Sequence, residues 1–174
     1  MAKSTKVQLE QDEAKLLVEL MKNSKENIET IAKNCGFSKQ KAWRMMKQLE
    51  KDQKIWGYSA VVDNTKQSLP KFMLFISRSE VKHDPKDIDE IVADLLASVK
   101  KELGVTIISS YFVHGQYDWV MIFTAHDIMH AKKFADAILY RFPGRQSIHL
   151  SQILFTVREN YIPNPNILEM KDYI

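Results

Sequence analysis

The chain has 174 residues, enough for two domains of under about 100 residues each, and its 45% apolar and 27% charged content is ordinary for a soluble globular protein. It contains no apolar run long enough to span a membrane, its lysine-bearing N-terminus lacks the apolar core of a secretory leader, and its single cysteine, Cys35, excludes an internal disulfide framework or a multi-cysteine zinc site, so a cytoplasmic protein is predicted. The formal net charge of +3 is unevenly divided: residues 1–60 carry 12 Lys/Arg against 8 Asp/Glu, and residues 61–174 carry 13 against 14.

Leu9, Leu16, Leu17, Leu20 and Met21 fall on one face at helical spacing, so a first helix is predicted, ending at about Met21–Ser24. Ile28, Ile31, Ala32 and Cys35 mark a second, short helix, and Gly36 stands where a left-handed residue ends one. Ser38 can cap a third helix through its hydroxyl. That helix buries Ala42, Met45, Met46 and Leu49, and its other side carries Lys39, Gln40, Lys41, Trp43, Arg44 and Lys47. Two short helices joined by a tight glycine turn make a helix-turn-helix, whose second member enters a DNA major groove. Six basic residues against two acidic ones over 38–54 suit a duplex backbone, although a solvated helix face would look the same.

The DNA-binding set is therefore Ser38, Lys39, Gln40, Lys41, Trp43, Arg44 and Lys47. Lys and Arg can pair with phosphates or guanine edges, and Gln40 can address adenine. Trp43 has two readings: it packs on a sugar or a thymine methyl, or it covers the wing or the first helix. For Cys35, plain packing is favoured over a redox role. The apolar, β-branched run Ile55–Asp63 reads as an extended strand leaving this unit.

Residues 28–63 resemble the Lrp/AsnC (feast/famine) family of transcription regulators, most specifically in Ile55-Trp56-Gly57-Tyr58-Ser59-Ala60-Val61-Val62-Asp63. In that family this segment is the hinge strand between a winged helix-turn-helix and a sensor domain. Two positions depart from the family pattern. Met45 stands where an arginine is usual, and Gln53 stands where the turn before the hinge usually has glycine. A positive φ at Gln53 would carry roughly 1 kcal/mol of strain.

Lys66–Pro70 is a linker, and 71–77 suits a buried strand. Ile88, Ile91, Val92, Leu95, Leu96 and Val99 define an amphipathic helix introduced by Asp84-Pro85. Residues 105–113 and 117–124 are two strands joined by His114-Gly115-Gln116, short enough for a hairpin. Ile128, Ala131, Phe134, Ala135, Ile138 and Leu139 define another helix, ending near Phe142-Pro143-Gly144. Residues 146–157 form a last strand whose alternation slips at Ser151-Gln152, where a bulge is predicted. The order is βαββαβ, a ferredoxin-like unit with both helices on one sheet face. Its strands are nearly continuous in hydrophobicity, so the other face is expected to be covered by a second copy of the chain.

This half also resembles the family's sensor (RAM-type) domain, through Gly115-Gln116-Tyr117-Asp118 and Phe142-Pro143-Gly144. The resemblance covers about residues 9–158. It implies an effector-binding set of His114, Gly115, Gln116, Tyr117 and Asp118, with close backbone approach at Gly115, hairpin packing by Tyr117 and polar contact by Asp118. The alternative is that Gly115 and Asp118 only shape a turn. His114 stands where the family often has threonine, which bears on what the loop binds.

The resulting α+β division is 1–54, winged helix-turn-helix; 55–70, hinge strand and linker; 71–160, effector-binding and oligomerisation domain; and 161–174, a tail extended by its two prolines. The function implied is a sequence-specific DNA-binding regulator, modulated by a small molecule such as an amino acid, with no metal, no cofactor and no membrane partner. It would form a dimer, assembled further into an octamer or another higher assembly. Two other readings stand beside it. One is an enzyme on the same framework, like the siroheme decarboxylases, for which His83, His114, His126, His130 and His149 are the attraction; His126 and His130 have the i, i+4 spacing of metal ligands but no evident third ligand. The other is an effector-binding partner protein without DNA binding.

Overall fold

A computed structural model describes residues 6–78, 101–141 and 145–173. The chain divides into two compact units, one of residues 1–61 with 157–169 and one of residues 62–156 with 170–174.

The first unit is built on α1 (Lys6–Lys22), α2 (Ile28–Cys35) and α3 (Lys39–Lys51). Leu16, Leu20, Ile31, Ala32, Cys35, Ala42, Met45 and Leu49 form its core, with Leu17, Ile28, Phe37, Met46 and Ile55 packed at the edge. Leu9 and Met21, expected on the buried face of α1, are about half exposed. A core position of α1 belongs instead to Asp12, only 3% exposed.

Local chemistry sets the helix boundaries. Asn27 Oδ1 accepts from Thr30 N at 2.9 Å and caps α2. Gly36 ends it with φ 72°, its N–H bonded to Lys33 O, while Phe37 N–H reaches Ala32 O. This is a Schellman end, and glycine suits it because no Cβ opposes the left-handed backbone. Ser38 Oγ then caps α3 by accepting from Lys41 N at 3.2 Å. The far end of α3 repeats the Schellman pattern, Gln53 N–H to Glu50 O and Lys54 N–H to Leu49 O, but the left-handed residue is Gln53 at φ 56°. The positive φ anticipated for Gln53 is thus present.

The second unit contains β1 (Lys71–Arg78), β2 (Thr106–Phe112), β3 (Trp119–Thr124), α4 (Ile128–Arg141) and β4 (Arg145–Ile153). The sheet order is β2-β3-β1-β4, antiparallel throughout, the arrangement of a split βαββαβ unit. Residues 101–103 are helical. The helix expected over 88–99, its Asp84-Pro85 start, His83 and Phe142-Pro143-Gly144 lie outside the described residues. Phe72, Leu74 and Ile76 of β1, with Trp119, Met121 and Phe123 of β3, pack against Ala131, Phe134, Ala135 and Ile138 of α4. Ile128 and Leu139, also expected to be buried, are exposed at the helix margins.

Two register findings correct the sequence reading. Ser151 and Gln152 pair regularly with Met73 and Phe72, and the β1–β4 irregularity lies at Ser77/Arg78. A second irregularity in β2 steps from Ile107 to Ser109 and leaves Ile108 exposed. The bulge expected at Ser151-Gln152 is therefore absent there, and the one irregularity of the β1–β4 ladder lies at the other end of β4, where Ser77 pairs with Ser147 and Arg78 with Arg145.

The linker at 65–67 forms a short 3-10 helix. Residues 55–63, expected as a strand, join no ladder in the single chain, and no paired wing follows α3 among the described residues. The ribbon of this unit is supplied by the C-terminal segment: β5 (Arg158–Glu159) pairs with β6 (Ile162–Pro163) across a turn at Asn160, φ 50°. The chain end is not simply extended, since Ile167–Tyr173 is a 3-10 helix.

Candidate nucleic-acid interface and effector loop

Helix α3 turns Lys39, Gln40, Trp43, Arg44, Lys47, Gln48 and Lys51 outward. Ser38, Lys39, Gln40, Trp43, Arg44 and Lys47 of the expected DNA-binding set are therefore together on one exposed surface. Ser38 Oγ accepts from the Lys41 amide, so its hydroxyl proton remains available to an acceptor such as a phosphate.

Lys41 departs from this set. Its ammonium meets Asp12 Oδ2 at 2.6 Å and lies 4.3 Å from the centre of the Phe37 ring. Gln8 Nε2 donates to the other Asp12 oxygen at 3.0 Å. The Lys41 hydrogen bond, ahead of the opposing effect of burial, holds the Asp12 carboxyl below the usual aspartate range. Lys41 thus ties α3 to α1 rather than joining the outward cations.

The outward cations are partly partnered. Lys39 pairs with Glu29, and Lys47 pairs with Glu50 at 2.8 Å. Glu50 also accepts from the Tyr58 hydroxyl at 3.0 Å, and burial with this carboxylate pushes the phenol up to about 12. Lys54 reaches Glu13 at 2.6 Å. Arg44 bonds only to the backbone of its own helix, Nε to Gln40 O at 3.3 Å, and Arg44 and Lys51 have no carboxylate partner among the described residues. The terminal nitrogens of the Arg44 guanidinium are thus open to a phosphate or a guanine edge.

The loop 114–118 joins β2 to β3. Val113 N–H donates to Asp118 O and Asp118 N–H to Ile76 O, both at 2.9 Å, so β2 and β3 form the hairpin expected, closed at Val113 and Asp118. His114, Gly115 and Gln116 are exposed, and Tyr117 and Asp118 are half-buried. Gly115 adopts φ 146°, and a Cβ there would meet nothing within 4 Å. Within the single chain its need is conformational, not the close approach that the resemblance implied. The Tyr117 ring packs 5.1 Å from Phe75 and 5.8 Å from His149, anchoring the loop to the sheet face opposite α4.

His126 and His130 have ring centroids 5.8 Å apart. Asp127 Oδ1 accepts from His130 N and contacts His130 Nδ1 at 2.7 Å, a helix-capping arrangement. Among the described residues no group of three His, Cys, Asp or Glu is placed to hold a metal. No described helix is long and apolar enough to cross a membrane. Sequence reading missed Asp12, Asn27, Phe37 and Tyr58; of these only Asn27 carried a signal, as a capping residue type before an apolar-periodic segment.

No protein-family model matches the sequence, and no curated protein matches it. Solved structures do. An AsnC family transcriptional regulator from Agrobacterium tumefaciens superposes with a TM-score of 0.61 at 17% identity, covering 86% of this chain and 92% of its own. The transcriptional regulator NMB0573 from Neisseria meningitidis, in complex with L-Met, gives 0.61 at 20% identity, covering 90% and 97%. The leucine response regulatory protein of Mycobacterium tuberculosis gives 0.62 at 19%, covering 87% and 98%. Helix-turn-helix and α/β unit together thus have the fold of the Lrp/AsnC-type regulators.

Proposed function

We propose that the chain is a transcription regulator of the Lrp/AsnC type. In this reading α3 lies in the major groove and the α/β unit self-associates through the sheet face opposite α4. The observation that carries it is the outward face of α3, where Arg44, Lys47 and Lys51 follow a hydroxyl-capped N-terminus. A dimer would present two such helices about 34 Å apart, so its site would be an imperfect palindrome. The loop 114–118 is the place for a small effector, and the L-Met bound to the Neisseria protein makes an amino acid the first candidate class. Effector binding would alter the quaternary arrangement, and so the spacing of the two helices, by a coupling of about 1–3 kcal/mol.

The test is a mobility shift on the DNA upstream of the protein's own reading frame, at two salt concentrations, with and without a mixture of amino acids. Selective, salt-sensitive binding altered by the mixture is the expected result. Selective binding indifferent to the mixture would keep the regulator and remove amino acids as effectors. Equally weak binding to all duplexes would contradict the proposal.

A further inference from the structure

Trp43 is 51% exposed in the middle of the outward face of α3. Its indole N–H has no hydrogen-bond partner among the described residues, and its ring stacks on no other described ring. A single exposed aromatic is ordinary on a protein surface, and what sets this one apart is the concave site that it lines. Together with Ile28, Lys39, Gln40 and Arg44 it lines an open groove of about 410 Å³. Ile28, the first residue of α2, gives this groove an apolar wall besides the indole. The charged residues of its lining are Lys39, paired with Glu29, and Arg44, which has no carboxylate partner among the described residues, so the occupant favoured by charge is an anion such as a nucleic acid.

Resting on the DNA-binding reading above, we propose that the Trp43–Ile28 groove receives the C5 methyl of a thymine. Among the groups on base edges in the major groove, that methyl is the apolar one. A concave site with apolar walls fits such a knob, whereas a sugar would be served by the flat face of the indole alone. Gln40, one turn before Trp43, stands beside it with the amide that pairs with adenine N6 and N7. The pair would favour a site containing adjacent A·T pairs, with Arg44 on the backbone or on a guanine edge.

The probe is a duplex enriched by the full chain from a random-sequence pool, with each thymine replaced in turn by deoxyuracil, which deletes only the methyl. For the wild-type chain, one or two positions should lose affinity roughly fourfold, the worth of one buried methyl. Trp43→Ala should bind the thymine duplex more weakly and show no further loss with uracil at those positions, and Trp43→Leu should restore part of the sensitivity. Wild-type binding indifferent to uracil everywhere would overturn the inference while leaving the DNA-binding reading in place. Equal sensitivity in Trp43→Ala would overturn it too, by giving the methyl to another residue. Failure to enrich any sequence would overturn both.

Discussion

In the α/β unit, Phe72, Phe123 and Phe134 are fully buried, and their rings pack with centroids 5.7 and 4.9 Å apart. In the helical unit the largest fully buried side chains are Leu16 and Leu49, and one core position is the carboxylate of Asp12. Aromatic burial holds the first of these units. The second has a small core and adds polar ties: Asp12–Lys41 between α1 and α3, Lys54–Glu13 from the end of α3 to α1, and Tyr58–Glu50 from the hinge to α3. The α/β unit is sensitive to lost volume, and the helical unit to charge and acid.

The largest effect is expected from Phe134→Ala, which empties the aromatic centre and should cost about 3–5 kcal/mol. Denaturant unfolding followed at the Trp119 indole resonance, which lies in that core, reads it directly. A loss under about 1 kcal/mol would mean that the ring is not central to the packing.

Lys41→Met should cost less, about 2–3 kcal/mol, because it leaves Asp12 buried with Gln8 as its remaining donor, and because Lys41, at 39% side-chain exposure, is itself not a fully buried partner. The Trp43 and Trp56 indoles report on this unit. Acid should separate the units in the same way. Asp12, Glu19, Glu29 and Glu50 are all held below their ordinary values by hydrogen bonds from Lys41, Lys22, Lys39 and Lys47. A depressed folded pKa means stability that is complete above the unfolded value and lost as pH falls through the folded one. Among the described residues the α/β unit has only Asp63 and Asp127 so held, both outside its core, so below about pH 4 the Trp43 and Trp56 signals should collapse before that of Trp119. The reverse order would contradict the comparison, and Asp12→Asn should shrink the gap.

Smaller effects are expected at the two helix ends. Gln53→Gly should raise the stability of the helical unit by about 1 kcal/mol, since it relieves a left-handed side chain without touching a hydrogen bond. Gly36→Ala, at the equivalent position of α2, should lower it by about the same amount. Equal neutral results in a thermal melt would show that the two ends do not differ.

Much of this architecture was legible. The 3.6-residue spacing of Ile28, Ile31, Ala32 and Cys35, the glycine after it and the serine cap place α2, the turn and α3, because each of those signals is local. The strand order was legible too, since alternating strands and helices leave few antiparallel arrangements. Asp12 was not, because its partner Lys41 lies 29 residues away and a charged residue on a helix ordinarily faces solvent. That same pairing withdraws Lys41 from the candidate interface, although by residue type it looks like its neighbours. The irregularity that leaves Ile108 exposed carries no sequence signal, because it depends on pairing to β3. In the loop 114–118 the sequence identified the residues but not their anchorage, which comes from Phe75 and His149 on separate strands.

On the proposed function the outward face of α3 contacts DNA through Arg44, while Lys41 is held against α1 by Asp12. This arrangement is tested most directly by the salt dependence of affinity for one selected duplex, measured for the wild type, Arg44→Ala and Lys41→Gln. With Arg44 on a phosphate, Arg44→Ala should weaken binding and flatten the slope of log affinity against log salt by about 1, while Lys41→Gln should leave the slope unchanged. A slope flattened by Lys41→Gln and untouched by Arg44→Ala would contradict it.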